Sequence, residues 1–310
     1  MKKTGASAGA YISWKRDFRM NWGVYLLFLP ILVYFIVFNY LPMFGVVMAF
    51  QEFSAIKGFF GSKWVGFANF IELFTGPNFL TILRNTMAIS FLNLGVGFPL
   101  SIIFALLLNE IIFDRFKKVV QTISYLPYFV SAVVVCGLAI DFVSSNGIIT
   151  NILVAFGLPR QNLLSDPKFF WGINLLVDVW QGLGYGSILF IASLSGVNTE
   201  LYEAAAIDGA GRLGRVWHVT LPALTPIIVT MLVMRCGMIM NVGSDKILLL
   251  YNPSIYETAD VIATHVVRMG IERMQYGYSA AVGLFNSVVG LLMLMVSNFI
   301  SRKLTESSVF

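Results

Sequence analysis

Six long, mostly apolar runs divide this 310-residue chain, and each holds the 20 or so residues that a helix needs to cross a hydrocarbon layer of roughly 30 Å. They fall near residues 24–50, 86–110, 119–143, 171–194, 221–250 and 280–300. Lipid offers no hydrogen bonds, so segments of this kind satisfy their backbone internally as helices. The predicted fold class is therefore all-α: a polytopic membrane protein with six transmembrane helices. Residues 1–23 read as an N-terminal tail, 24–303 as one transmembrane domain with a distinctive loop at 196–220, and 304–310 as a C-terminal tail.

Composition closes off other classes. Only 12% of residues are charged, where about 25% is usual in soluble domains. The net charge of +5 could suggest nucleic acid, but too little polar surface remains for a basic soluble protein, so no nucleic-acid partner is expected. Cys136 and Cys236 lie inside apolar runs and read as small buried hydrophobes. His218 and His265 belong to no ligating motif, and neither a metal nor a cofactor site is expected on this chain. The first run follows several cations but extends well past the 7–15 apolar residues of a cleaved signal, so it should remain in the membrane.

Orientation follows from the loop cations, because cytoplasmic loops retain Lys and Arg. With the N-terminus inside, twelve lie inside: Lys2, Lys3, Lys15, Arg16, Arg19, Arg115, Lys117, Lys118, Arg212, Arg215, Arg302 and Lys303. Eight lie on the other side, in longer connections, and Arg235 falls within a run. Both termini are expected in the cytoplasm.

The connection between the fourth and fifth runs carries more pattern than a joining loop requires. Asn198 or Thr199 can cap a short helix whose first turn would hold Glu200 and Glu203, where acids complement the helix dipole. Leu201, Ala204, Ala205 and Ile207 supply small and apolar contacts, Asp208-Gly209 marks a sharp turn, and Gly211 and Gly214 follow. By these physical features alone, a helix lying on the bilayer surface fits equally well.

The residues themselves are more specific. Tyr202-Glu203-Ala204-Ala205-Ala206-Ile207-Asp208-Gly209-Ala210, then Leu221-Pro222 and Pro226, closely resembles the E-A-A-x-x-D-G-A motif and following proline of permeases in binding-protein-dependent ABC importers. Trp64-Val65-Gly66-Phe67, Asn69-Phe70 and Asn85-Thr86 look like the entry to the second helix of maltose-type (type I) sugar-importer permeases, and Leu126-Pro127 like their third-helix turn. Tyr251-Asn252-Pro253, Ala259-Asp260-Val261-Ile262 and Arg268-Met269-Gly270 resemble the subgroup associated with complex polysaccharides or aldouronates. The chain departs at Val216, where the family usually has Phe.

The resemblance implies a type I permease fold in a bacterial plasma membrane. It also implies a second permease subunit of a different chain, an extracellular sugar-binding protein, and an oligosaccharide or modified sugar as cargo. Glu203, Ala204, Ala205, Asp208, Gly209, Ala210 and Pro222 would dock into a cytoplasmic ATPase dimer that binds ATP and Mg. No G-x-x-x-x-G-K-[ST] loop occurs here, which fits a transport subunit rather than an enzyme.

A sugar path needs polar groups at membrane depth. Asn174, Asp178, Gln181 and Tyr185 recur at i, i+4, i+7 and i+11, on one helical face, and Asn241 and Asp245 share another at i, i+4, with Arg235 one to two turns earlier. The bland reading of each is a hydrogen bond to a neighbouring helix. Gly182, Gly184 and Gly186 sit within a spanning run with no preceding strand, so close helix packing or a local distortion is expected rather than a nucleotide loop. Two other classes compete: an ion-gradient-driven secondary carrier using Asp178, Asp245 and Arg235, for which no internal repeat is found, and an intramembrane hydrolase using Ser193 or Ser195 with His265, which the topology sets on opposite sides.

Overall fold

The computed structural model describes residues 14–305, so Lys2 and Lys3 of the expected N-terminal tail and residues 306–310 of the C-terminal tail lie outside it. Among the described residues, six helices are long and apolar enough to span a membrane: Trp22–Phe50, Phe79–Asn109, Ala132–Ala155, Pro167–Leu194, Arg212–Gly237 and Tyr276–Lys303. They are called the first to sixth spans below. The second begins seven residues before the apolar run at 86, because Arg84 and Asn85 turn onto the backbone of another segment, at the Glu257 carbonyl, instead of facing lipid.

Two of the expected runs are interrupted. Residues 119–143 do not form one helix: the amphipathic helix Asp114–Tyr125 ends in a 3-10 turn, Leu126–Phe129, around Pro127. Proline has no N–H to continue the ladder, and the spanning helix restarts at Ala132 with the Ser131 hydroxyl accepting from the Val134 N–H at 3.4 Å. After a break at 144–147 it resumes as Ile148–Ala155.

The fifth span is the second correction. The run 221–250 is not continuous, since its helix stops at Gly237, the chain turns through 238–243, and a separate short helix follows, Ser244–Leu250. Asn241 therefore stands in a turn, its N–H donating to the Met238 carbonyl at 2.8 Å, and Asn241 and Asp245 do not share a helical face. Gly237 lies against the sixth span, where a Cβ would come within 2.6 Å of Leu294, so this break coincides with close packing. At its other end the fifth span starts earlier than expected. Arg212–Arg215, the π-turn Val216–Thr220 and Leu221–Gly237 run on continuously, which shortens the loop from 196–220 to 195–211. Pro222 cannot donate to the His218 carbonyl four residues back, and the wider π-turn lies where that bond is missing.

The fourth span is the centre of the bundle. Asp166 caps it by accepting from the Lys168 N–H at 3.0 Å, Pro167 occupies its first turn, and it runs unbroken for 28 residues. It packs on the second span through Phe98, Ala105, Phe190 and Leu194, and on the helix Asp114–Tyr125 at Gly184. A Cβ on Gly184 would lie 2.1 Å from the Ser124 carbonyl oxygen, so only glycine allows that approach. The three glycines thus leave the helix intact, and two of them, Gly184 and Gly186, serve close packing.

The first span is different. From Trp22 to Phe44 it has no buried side chain, and only its end, Phe44–Phe50, packs on the sixth span. There the Asn69 amide donates to the Ala49 and Gln51 carbonyls, and Trp64 stacks on Phe50 with ring centroids 5.7 Å apart. Two-residue strands, Gln51–Glu52 and Lys63–Trp64, pair antiparallel and close the connection.

Candidate functional site

The loop helix Thr199–Ile207 is locally determined at both ends. The Asn198 side chain, not Thr199, is the cap, accepting from the Glu200 N–H at 3.0 Å. Glu200 lies in the first turn, while Glu203 falls in the second. At the far end the Gly209 N–H donates to the Ala206 carbonyl at 3.1 Å and the Ala210 N–H to Ala205 at 2.9 Å, with Gly209 at φ +80°. This is a Schellman closure, which requires a left-handed residue at Gly209.

The helix is fixed to the base of the fifth span. The Tyr202 hydroxyl lies 3.2 Å from the Thr220 hydroxyl, which in turn donates to the Arg215 carbonyl at 3.4 Å. Glu203, Ala204, Asp208, Gly209 and Pro222 are exposed, and Ala205 and Ala210 are half-buried. Apolar side chains stand out beside them, with Ile207 87% and Leu213 84% exposed. The helix is thus capped, tethered and exposes an apolar and acidic surface. Val216, the departure from the family pattern, forms the start of the π-turn, and Trp217 next to it is exposed.

The polar stripe divides. Asn174 and Gln181 are buried and bond within the bundle: the Gln181 amide donates to the Val130 carbonyl at 2.8 Å, and the Asn174 amide to an Asp178 carboxylate oxygen at 3.2 Å. Tyr185 stacks face to face on Tyr128 at 3.7 Å. Asp178 alone of the four reaches a cavity of about 480 Å³ between the second, fourth and fifth spans, and Asn241 lines it from the turn at 238–243. Asp245 is exposed and is not among the lining residues.

Lys246 and Asn93 were not legible as site residues. The Lys246 ammonium lies 2.7 Å from one Asp178 oxygen, and the Asn93 amide donates to the other at 3.0 Å. Lys246 counts as a loop cation when the sequence is read linearly, although its position inside the run 221–250 was a signal of burial. Arg235 also lines the cavity, its guanidinium carbon 5.4 Å from the centre of the Phe98 ring.

At the end of the bundle opposite the helix Thr199–Ile207, the segments that connect the spans are tied down by the motif residues. Asn85 donates to the Glu257 and Asp260 carbonyls, the Thr86 hydroxyl accepts from the Ile262 N–H at 3.0 Å, and Asn252 donates to the Leu164 carbonyl at 3.0 Å. Arg268 holds Asp260 through both carboxylate oxygens, and the His265 ring sits between Arg268 and the Tyr278 hydroxyl, the latter 3.1 Å away. Burial holds the His265 pKa below the ordinary histidine range, although Asp260 pulls the other way. Ser195 donates to the Ile191 carbonyl at the far end of the fourth span, so Ser195 and His265 are not brought together.

Residues 97–306 match the family described as binding-protein-dependent transport system inner membrane components. The chain is 40% identical over 305 residues to protein LplB of Bacillus subtilis (strain 168), covering 98% of this chain and 96% of that protein. It is also 40% identical over 288 residues to the polygalacturonan/rhamnogalacturonan transport system permease protein YteP of the same strain, covering 93% and 90%. A chain of a bacterial alginate ABC transporter, solved with an alginate pentasaccharide-bound periplasmic protein, superposes with a TM-score of 0.87 at 39% identity, covering 96% of this chain and 99% of that one.

Proposed function

This chain belongs to the family of binding-protein-dependent transport system inner membrane components, and on that premise we propose that it is one permease half of an ATP-driven importer that moves an oligosaccharide or modified sugar by alternating access. The observation that carries the coupling is the helix Thr199–Ile207, closed at both ends and tied through Tyr202 to the base of the fifth span. A rigid body docked in a cleft moves with that cleft, and this one would pass the movement to the span that borders the polar cavity.

In this reading the helix docks on a cytoplasmic ATPase dimer that holds ATP and Mg, and a second, different permease faces this chain across the path. An extracellular sugar-binding protein delivers the cargo, and both termini are cytoplasmic. ATP need only bias two arrangements of the bundle that differ by a few kcal/mol. The chemistry is on the partner, and this chain binds no cofactor.

Gly209→Pro and Glu203→Lys test the docking role in the reconstituted transporter. Proline cannot adopt φ +80° and lacks the N–H that reaches Ala206, so the Schellman closure is lost. Both variants should express and insert, yet lose most sugar uptake while ATP hydrolysis no longer responds to the loaded binding protein. Normal uptake in both would refute the coupling role.

A further inference from the structure

We propose that Arg235 is the counter-ion for an anionic group, a carboxylate in particular, on the sugar that passes through the cavity; this rests on the permease reading above. The cavity of about 480 Å³ holds three charged side chains, Asp178, Lys246 and Arg235. Asp178 is fully engaged: Lys246 takes one oxygen at 2.7 Å, and the Asn93 and Asn174 amides take the other at 3.0 and 3.2 Å. That pair cancels, which leaves the cavity with one net positive charge on Arg235.

Among the described residues the Arg235 guanidinium makes no hydrogen bond and no ion pair, and its one charge-related contact is the face of Phe98. It is open to the cavity, not enclosed in the core. Its neighbours Phe98 and Gly186 lie within the second and fourth spans, about three and two turns from the nearer ends, so the charge sits at membrane depth. An arginine in such a position is costly unless water or a counter-charge reaches it. Its planar fork of donors matches a carboxylate bidentately, a fit a neutral sugar hydroxyl cannot reproduce. An anionic sugar crossing a low-dielectric interior needs such a partner, and a neutral one does not.

The test uses the whole transporter, with its partner permease, ATPase and binding protein, in proteoliposomes. Uptake of trigalacturonate and of neutral galactotriose is compared, each against itself, in wild type, Arg235→Gln and Arg235→Lys. Arg235→Gln should lower trigalacturonate uptake about tenfold or more, mainly through KM, as expected for losing a charged hydrogen bond. Arg235→Lys should keep most of the uptake, and galactotriose should not fall in either variant, which also reports that the variants fold.

Wild-type-like trigalacturonate uptake in Arg235→Gln, or an equal loss for both probes, would overturn the assignment. So would loss of the partner permease on purification of Arg235→Gln, which would give the cation to the subunit interface. A wild type that takes up only galactotriose, or neither probe, removes the anion assignment and leaves the permease reading standing. Uptake driven by an ion gradient without the ATPase removes the permease reading itself.

Discussion

Gly182, Gly184 and Gly186 are two residues apart on one helix, yet they differ sharply in what surrounds them. A Cβ at 182 would meet nothing within 4 Å, whereas at 184 it would strike the Ser124 backbone at 2.1 Å. Gly184→Ala should therefore destabilise the bundle by about 1–3 kcal/mol, the usual cost of overpacking. Gly182→Ala should be near neutral or slightly stabilising, and thermal unfolding of the purified transporter compares the two. His265 makes a second residue-scale prediction. It is 4% exposed and faces Tyr278, Arg268 and Asp260, with Arg273 also acting on it, and burial lowers its pKa. A depressed histidine contributes stability that is present above its unfolded pKa of about 6.5 and is lost as pH falls through that value toward the lower folded one. The melting temperature should thus drop as the pH falls below about 7, and His265→Gln should flatten that part of the profile.

The helix Thr199–Ile207 was legible as an element because its determinants are local: a capping amide, an alanine run and a glycine at the left-handed closure. Asn198→Ala should cost about 1 kcal/mol of local helix stability. Faster amide exchange over residues 199–210, with partial loss of uptake, is the expected result, and unchanged exchange would show that Tyr202 alone holds the helix. Breaks within apolar runs were less legible. Pro127 marks one in the sequence, and the helix does yield there. Pro226 does not break the fifth span, which ends eleven residues later, at a glycine packed on Leu294. Within an apolar run, hydropathy stays high whether the chain runs straight or turns, so the turn at 238–243 left no periodic trace.

At the scale of the molecule, the first span stands off the bundle with no buried side chain from Trp22 to Phe44, a surface left for lipid or another subunit. The proposed assembly predicts that the tagged chain copurifies with a second permease and an ATPase in stable proportion. Recovery of an active transporter containing this chain alone would contradict it. The number of spans and the loop helix Thr199–Ile207 were settled by the sequence, because hydropathy, capping and turn chemistry act over a few residues. Which polar groups meet was decided only by the tertiary structure. Asp178 and Lys246 are 68 residues apart, and Asn93 is 85 from Asp178, so no period links them. The even spacing of Asn174, Asp178, Gln181 and Tyr185 suggested one shared path, but packing buries Asn174 and Gln181, Tyr185 stacks on Tyr128 outside the cavity, and only Asp178 lines it. A helical face follows from local geometry, whereas the environment of that face depends on how distant segments pack against it.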